Sequence, residues 1–436
     1  MAESAPAPKN ILRGHKAQVH AAAFIRDNER LVTADAEGYV VVWDLVIMRP
    51  SAVWRAHENS ILGVRGWGRD KVITHGRDHK LIVWQLAEQD EQSLDTVLPV
   101  EHVAQPRRQP WILYLLEVNT LNFCSFAACP RRDGETICGP DASTDILVAV
   151  PNMLASEAID VFALPGQSRL YTVKSSVKNG LVMSLRLLHR AGCLTLLAGF
   201  EDGCASVQRL CASGAWVTTY RSQAHSQPIL SLDLHPSQEC FFTSSADSII
   251  AQHPIPTAQQ SLTSSASISG QSIRETGSSE ANSAEPFVSD ADAPNITADP
   301  DASRPTERLQ EWKHPLKIIN TKHSGQQSLK VRSDGKVFAT AGWDSKIRVY
   351  SSKTLKELAV LQWHKVGAYA VAFADVAQNL SAGPSMDKVA GPSVGSNGLV
   401  GTASVSVRER RIRQARTTHW IVAGAKDGKV SLWDLY

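Results

Sequence analysis

At 436 residues, with 43% of them hydrophobic, 20% charged and a formal net charge of +2, the chain has the balance of an ordinary globular protein. That balance gives no support to wholesale electrostatic binding of nucleic acid or a membrane surface. The opening MAESAPAPKN lacks the basic-then-apolar order of a signal peptide, and Pro151, Glu157 and Asp160 interrupt the most apolar window, 145–166, so no membrane span is expected.

The first predicted element is a lone strand, NILRGH (10–15). Two segments, 12–45 and 54–86, then align. Each runs a histidine (His15, His57), an alternating strand, a second strand ending in a turn, and a third strand closing on tryptophan (Trp43, Trp84). The histidines are 42 residues apart and the tryptophans 41, which is the spacing of a repeat array. Two degenerate units fill 111–220, with strands LNFCSFAAC, DILVAVP and AIDVFAL, then GLVMSLRLLH, CLTLLAGF and GCASVQRL. A fifth unit, 226–255, follows His225, and a sixth, 325–352, follows His323. The seventh begins at 366–375 after His364 and is completed by 418–436.

Gly-His openings and Trp-Asp closings at this period resemble the WD40 repeat, whose fold is a β-propeller of four-stranded blades. The resemblance implies an all-β chain: a single seven-bladed propeller over 10–436, after a disordered N-terminus at 1–9. Blades are expected at 16–57, 58–120, 121–175, 180–225, 226–323, 324–364 and 365–436 plus 10–15. The last unit has three strands and the chain opens on an orphan one. Pairing the two is expected to close the ring and cover an otherwise open sheet edge.

The same resemblance implies a hydrogen-bonded chain in each blade: a His before the first strand, a Ser/Thr ending the second, an Asp in the next turn and the Trp of the third. A buried indole N–H and imidazole must both find partners. The matching positions are incomplete throughout. The first unit has His15 and Trp43, with Asp35 at the hydroxyl place and Glu37 at the Asp place; the second has His57, Asp78 and Trp84, with Gly76. The fifth has His225, Ser245 and Asp247, with His253 for Trp. The sixth has His323 and Asp344, with Gly342 and Tyr350. The seventh has His364, Asp427 and Trp433, with Ala425, and the fourth keeps only Asp202. Recurrence at repeat spacing marks these residues as scaffold, because a catalytic His–Asp pair would occur once.

Other signals for chemistry are weak. Gly391-Pro-Ser-Val-Gly395 has the form of a nucleophile elbow and Ser385-Met-Asp-Lys388 that of a Ser–Lys pair, but Pro and Gly surround both and no strand aims either serine. Asn295-Ile-Thr297 is a glycosylation sequon in form only. Cys124, Cys129 and Cys138 have no second pair to finish a zinc site, so the seven cysteines read as free thiols of a reducing compartment. No enzyme activity, cofactor or metal is expected.

Four segments exceed what a blade needs: 87–110, 130–143, 257–312 and 375–417. The first and third join third to fourth strands; the second and fourth join first to second strands. In an antiparallel meander these connections share one end, so all four are expected on one face, a common binding face in repeat proteins. The stretch 257–312 is rich in Ser, Ala, Thr and Asp and reads as a disordered insert, with Ser272 and Ser289 in sequences an acidophilic kinase could use. The stretch 375–417 reads as a long loop carrying a basic run, Arg408, Arg410, Arg411, Arg413 and Arg416. Guanidinium forks suit carboxylate or phosphate partners. Partner contact, nuclear import and a merely solvated flank are all open readings of the run.

ILRGHKAQVHAAAF, DAEGYVVVWDL, WRAHENSIL and THGRDHKLIVWQL, with the closing AGAKDGKVSLWDLY, resemble the fungal ASTRA-associated protein 1 family. That resemblance implies a non-catalytic nuclear scaffold subunit, with the cytoplasm also open. Its implied partners are Tel/Tti cochaperone proteins, RuvB-like ATPases and a kinase-related pseudokinase, with no direct nucleic-acid or membrane contact. The work it implies is maturation of phosphatidylinositol-3-kinase-related kinases and chromatin remodelling. A G-protein β-like signalling platform and a histone-tail reader are the alternative readings.

Overall fold

The structure, a computed structural model, describes residues 6–100, 107–119, 123–139, 142–175, 177–257, 311–376 and 406–435. Ser272, Ser289, Asn295, the Ser385–Lys388 pair, the Gly391–Gly395 motif and the expected disorder at 258–310 lie outside the described residues.

Strand β1 (Asn10–Arg13) opens the chain. Blade 1 is β2 (Val19–Ile25), β3 (Arg30–Asp35), β4 (Tyr39–Asp44) and β5 (Arg49–Arg55). Blade 2 is β6 (Ile61–Trp67), β7 (Lys71–Gly76), β8 (Lys80–Gln85) and β9 (Trp111–Glu117). Blade 3 is β10 (Ala127–Pro130), β11 (Ile146–Pro151), β12 (Ile159–Leu164) and β13 (Ser168–Val173). Blade 4 is β14 (Val182–Arg190), β15 (Cys193–Phe200), β16 (Cys204–Leu210) and β17 (Trp216–Gln223). Blade 5 is β18 (Ile229–Leu234), β19 (Cys240–Ser245), β20 (Ile249–Pro254) and β21 (Lys317–Asn320). Blade 6 is β22 (Gln326–Val331), β23 (Val337–Gly342), β24 (Lys346–Ser351) and β25 (Glu357–Gln362). Blade 7 is β26 (Ala368–Phe373), β27 (Trp420–Ala425) and β28 (Lys429–Asp434), with β1 as its outer strand.

Each blade is an antiparallel meander whose first strand lines the axis. Both faces of a blade pack on neighbours, so middle strands such as YVVVWD are buried almost along their whole length instead of alternating. The described residues form seven hydrophobic clusters, one at each blade interface. The blade 7–blade 1 cluster is as continuous as the others: Leu12, Leu432 and Trp420 pack with Leu31, Val41 and Trp43.

The expected closure is present. β1 pairs antiparallel with β28, with Ile11 opposite Ser431 and Leu12 opposite Val430. Lys9 extends the clasp by donating its amide to Leu432 O at 2.8 Å. Gly428 has φ +74° in the turn before β28, and a Cβ there would fall 2.1 Å from His15 O. Gly38 and Gly203 meet His57 O and His225 O in the same way, so the clasp repeats an ordinary contact between blades.

The four long connections leave one face, as their strand assignments require. Two are more structured than the sequence suggests. The 87–110 insert folds back along the rim, where Val53 N–H donates to Asp95 O and Val100 N–H to Gly14 O, covering edge groups of β5 and the clasp strand. At the end of the 257–312 insert, Trp312 bonds through its backbone to Thr219 and Arg221, so it covers the edge of β17. All seven cysteines are unpaired, with Cys124, Cys129, Cys204 and Cys240 buried.

Candidate functional site

In blade 1, Trp43 Nε1 donates to Thr33 Oγ1 at 2.8 Å, Thr33 lies 2.8 Å from His15 Nε2, and His15 Nδ1 lies 2.7 Å from Asp35. Blade 2 repeats this with Trp84, Thr74, His57 and Asp78, at 2.8, 2.7 and 2.8 Å. The order fixes the protons: Nδ1–H donates to the carboxylate, and Nε2 accepts from the threonine hydroxyl. Blade 5 lengthens the chain. Tyr220 OH bonds His253 Nδ1, His253 Nε2 bonds Thr243, and Thr243 bonds His225, which faces Asp247 at 3.2 Å.

The hydroxyl therefore sits two residues before the place expected from sequence. Thr33, Thr74 and Thr243 take the role assigned to Asp35, Gly76 and Ser245, because residues two apart on a strand share a face. Asp35 is the carboxylate partner in place of Glu37. Ser245 instead bonds Gln227 O and the Asp247 amide.

Two blades depart further. In blade 7, Trp433 and His364 share Ser431 at 2.9 and 2.7 Å, while Asp427 turns to Lys429 and leaves His364 Nδ1 without a partner among the described residues. In blade 6, His323 stays outside the network. It stands three residues before its strand, whereas the network histidines stand four before theirs. Gln326 replaces it by accepting from Thr340 at 2.6 Å, and Asp344 holds the buried Arg348 at 3.1 and 2.6 Å.

Burial works to raise the Asp78 and Asp247 pKa values, but the hydrogen bonds and charge of His57 and His225, together with backbone amides, outweigh it and hold both below the usual carboxylate range. Burial pushes His253 down to about 3 and His364 down to about 4, so both are neutral at pH 7. These buried chains tie the strands of each blade together.

The surface feature with chemistry to offer lies on the insert-bearing face. The end of the expected loop 375–417 is a helix, Val407–Thr417. Its N-terminus carries a capping box: Ser406 Oγ accepts from the Glu409 amide at 3.1 Å, and Glu409 accepts from the Ser406 amide at 2.8 Å. The S-x-x-E spacing of Ser406-Val-Arg-Glu409 is the signal that locates this helix in the sequence.

Blade 1 holds the helix down. Asn28, at φ +67° in the β2–β3 turn, donates to Asp375 O at 2.7 Å and Arg416 O at 3.3 Å and accepts from the Asp375 amide at 3.0 Å. Arg416 pairs with Glu29 at 2.5 Å, and this hydrogen bond raises the guanidinium's pKa. Ala415 is buried with Leu45 and Trp420. The neighbouring insert locks to the same turn: Arg26 and Arg30 both donate to the buried Glu91 in the short helix Glu88–Glu91.

The five arginines thus divide. Arg416 is an anchor. Arg408 and Arg411 line a cleft of about 300 Å³ with Val407, Ile47, Asp44 and Glu88. Arg410 and Arg413, one turn apart on the opposite side, are exposed and make no ion pair among the described residues. Two outward guanidiniums on a fixed helix can take carboxylates or phosphates.

The family model described as ASTRA-associated protein 1 matches residues 8–433. Relatives called ASTRA-associated protein 1 include one from Verticillium alfalfae, 49% identical over 99% of this chain and 93% of the relative. One from Pyricularia oryzae is 46% identical, covering 98% of this chain and 97% of the relative. One from Schizosaccharomyces pombe is 29% identical, covering 84% and 93%.

Proposed function

The chain belongs to the ASTRA-associated protein 1 family, and from that premise we propose that it is a non-catalytic scaffold subunit of an ASTRA-type assembly. The observation that carries this reading is the gathering of four inserts on one face, with Arg410 and Arg413 turned outward from a capped and anchored helix. A rigid ring supplies the platform; the helix supplies charge for an acidic partner surface. The partners in this reading are Tel/Tti cochaperone proteins, RuvB-like ATPases and a kinase-related pseudokinase. Its place is the nucleus, and its work is maturation of phosphatidylinositol-3-kinase-related kinases and chromatin remodelling. A histone-tail reading is disfavoured by charge, because Arg186 and Lys330 line the axial channel and would repel a cationic tail.

Affinity purification with Arg410→Glu/Arg413→Glu tests the proposal. Both residues are exposed and outside the anchor, so stability is expected to stay within about 0.5 kcal/mol of the parent. Recovery of the Tel/Tti-type partners should fall. Full recovery at unchanged stability would overturn the helix as the contact.

A further inference from the structure

Six innermost strands share a β-bulge, where pairing slips after Val19, Ile61, Val182, Ile229, Gln326 and Ala368. Four residues beyond each slip, the common register sets one residue from each of these six blades at one level around the axis: Ala23, Arg65, Arg186, Asp233, Lys330 and Ala372. Three are cations and one is a carboxylate, so the level carries two positive charges in excess.

The carboxylate already has a cation and an amide beside it. Asp233 Oδ1 lies 2.5 Å from Arg186 Nη2, and Oδ2 accepts from the Val331 amide at 2.8 Å. Arg65 Nη1 donates to Ala128 O at 2.7 Å. Lys330, half-buried at the channel wall, makes no hydrogen bond among the described residues. Asp233 acts to raise the Lys330 pKa, but burial together with Arg186 and Arg65 outweighs it and brings the ammonium below its usual range. Burial, then the charge of Arg186, does the same to Arg65.

There is space beside them. Arg186 and Lys330 line an axial channel of about 200 Å³ between the innermost strands. Arg186 and Arg65 also line a cavity of about 370 Å³ on the insert-bearing face, beside His189 and the β10–β11 connection. Its two acidic lining residues are Asp133, which accepts from the Gly134 amide at 2.9 Å, and Glu135, which faces Arg132 at 4.0 Å.

We infer that this ring is an anion site, in which a small multivalent phosphate ion sits between Arg65, Arg186 and Lys330. Donors arriving from three separate blades suit a tetrahedral ion better than a planar one, and the two-charge excess matches a dianion. The channel is below the size of sites for drug-sized ligands, about 300–1,000 Å³, which limits the occupant to a small ion.

Calorimetric titration of the full chain with inorganic phosphate, beside thermal unfolding in phosphate and in sodium chloride of equal ionic strength, tests the inference. One-to-one binding and a rise in melting temperature beyond that in chloride are expected. Lys330→Gln should weaken binding at least about tenfold, the loss of one charged hydrogen bond. In chloride alone this variant should melt no lower than the parent, because burial and the two neighbouring guanidiniums together outweigh the attraction of Asp233, and no hydrogen bond is broken. Arg410→Glu/Arg413→Glu should bind phosphate unchanged, which separates this site from the proposed partner helix. Absence of one-to-one binding by the parent, or equal affinity in Lys330→Gln, would overturn the inference. Should Lys330→Gln fail to fold, Lys330→Met carries the same comparison and the parent titration still decides.

Discussion

In blade 2 the hydroxyl between imidazole and indole belongs to Thr74 on the second strand, whereas in blade 7 it belongs to Ser431 on the third. Ala423 occupies the place that Thr74 fills, and Ser431 is its direct cross-strand partner, just as Ile82 is opposite Thr74. The fold therefore demands a donor–acceptor at one point in space and is indifferent to the strand that delivers it. Blade 2 is the tighter of the two: Asp78 takes both His57 and the Glu58 amide, while Asp427 leaves His364 Nδ1 unpartnered among the described residues.

The largest expected effect comes from breaking the complete version. Thr74→Val keeps the shape but strands both His57 Nε2 and Trp84 Nε1. At about 1–3 kcal/mol for each buried group left without a partner, the loss should be about 2–6 kcal/mol in urea unfolding. A loss below about 1 kcal/mol would mean that Thr74 is not the hub.

The comparison itself is tested by moving the hydroxyl. Ser431→Ala should cost about 1–3 kcal/mol, and adding Ala423→Thr should restore most of it by placing the hydroxyl on the strand that blades 1, 2 and 5 use. A double variant no more stable than Ser431→Ala would show that the two strands are not equivalent donors.

The repeat period, the blade number and the clasp were legible because they rest on pattern: alternating strands, turns near every tenth residue, and an unpaired strand at each end. The hydrogen-bond hub was misplaced by two residues because strand ends were read from the turn, while the pleat decides which side chain meets the indole. His323 misled for a related reason. Its spacing to His225 fits the period once the insert is removed, yet its distance to its own strand is one residue short, so Gln326 and Arg348 serve instead. The helix at Val407–Thr417 was missed although its capping box is local, because five arginines in eleven residues give no apolar stripe. The axial ring of charge appears only after the bulges are aligned. In sequence, Arg65, Arg186 and Lys330 are ordinary basic residues on alternating strands.

Blade 2 contains a contrast of its own. His75 follows Thr74 on the same strand and so faces the other way, edge-on to Phe126 with ring centroids 6.2 Å apart. His57 is bonded at both nitrogens; neither nitrogen of His75 has a partner among the described residues. Burial, with a smaller contribution from His57, pushes the His75 pKa down to about 3. The unfolded chain takes up this proton near pH 6.5, but the folded one refuses it until about pH 3. Any stability that depends on neutral His75 is thus complete above about pH 6.5 and drains away as pH falls, by about 1.4 kcal/mol per unit. His75→Leu removes both the unpartnered atoms and the proton uptake. It should gain about 1–2 kcal/mol at pH 7. The gain should widen between about pH 6.5 and 4.5, because His253 and His364 drain in both proteins and cancel in the difference. Urea midpoints at about pH 7, 5.5 and 4.5 read this directly, and a gain that stays constant over that range would mean that His75 titrates near its ordinary value in the fold.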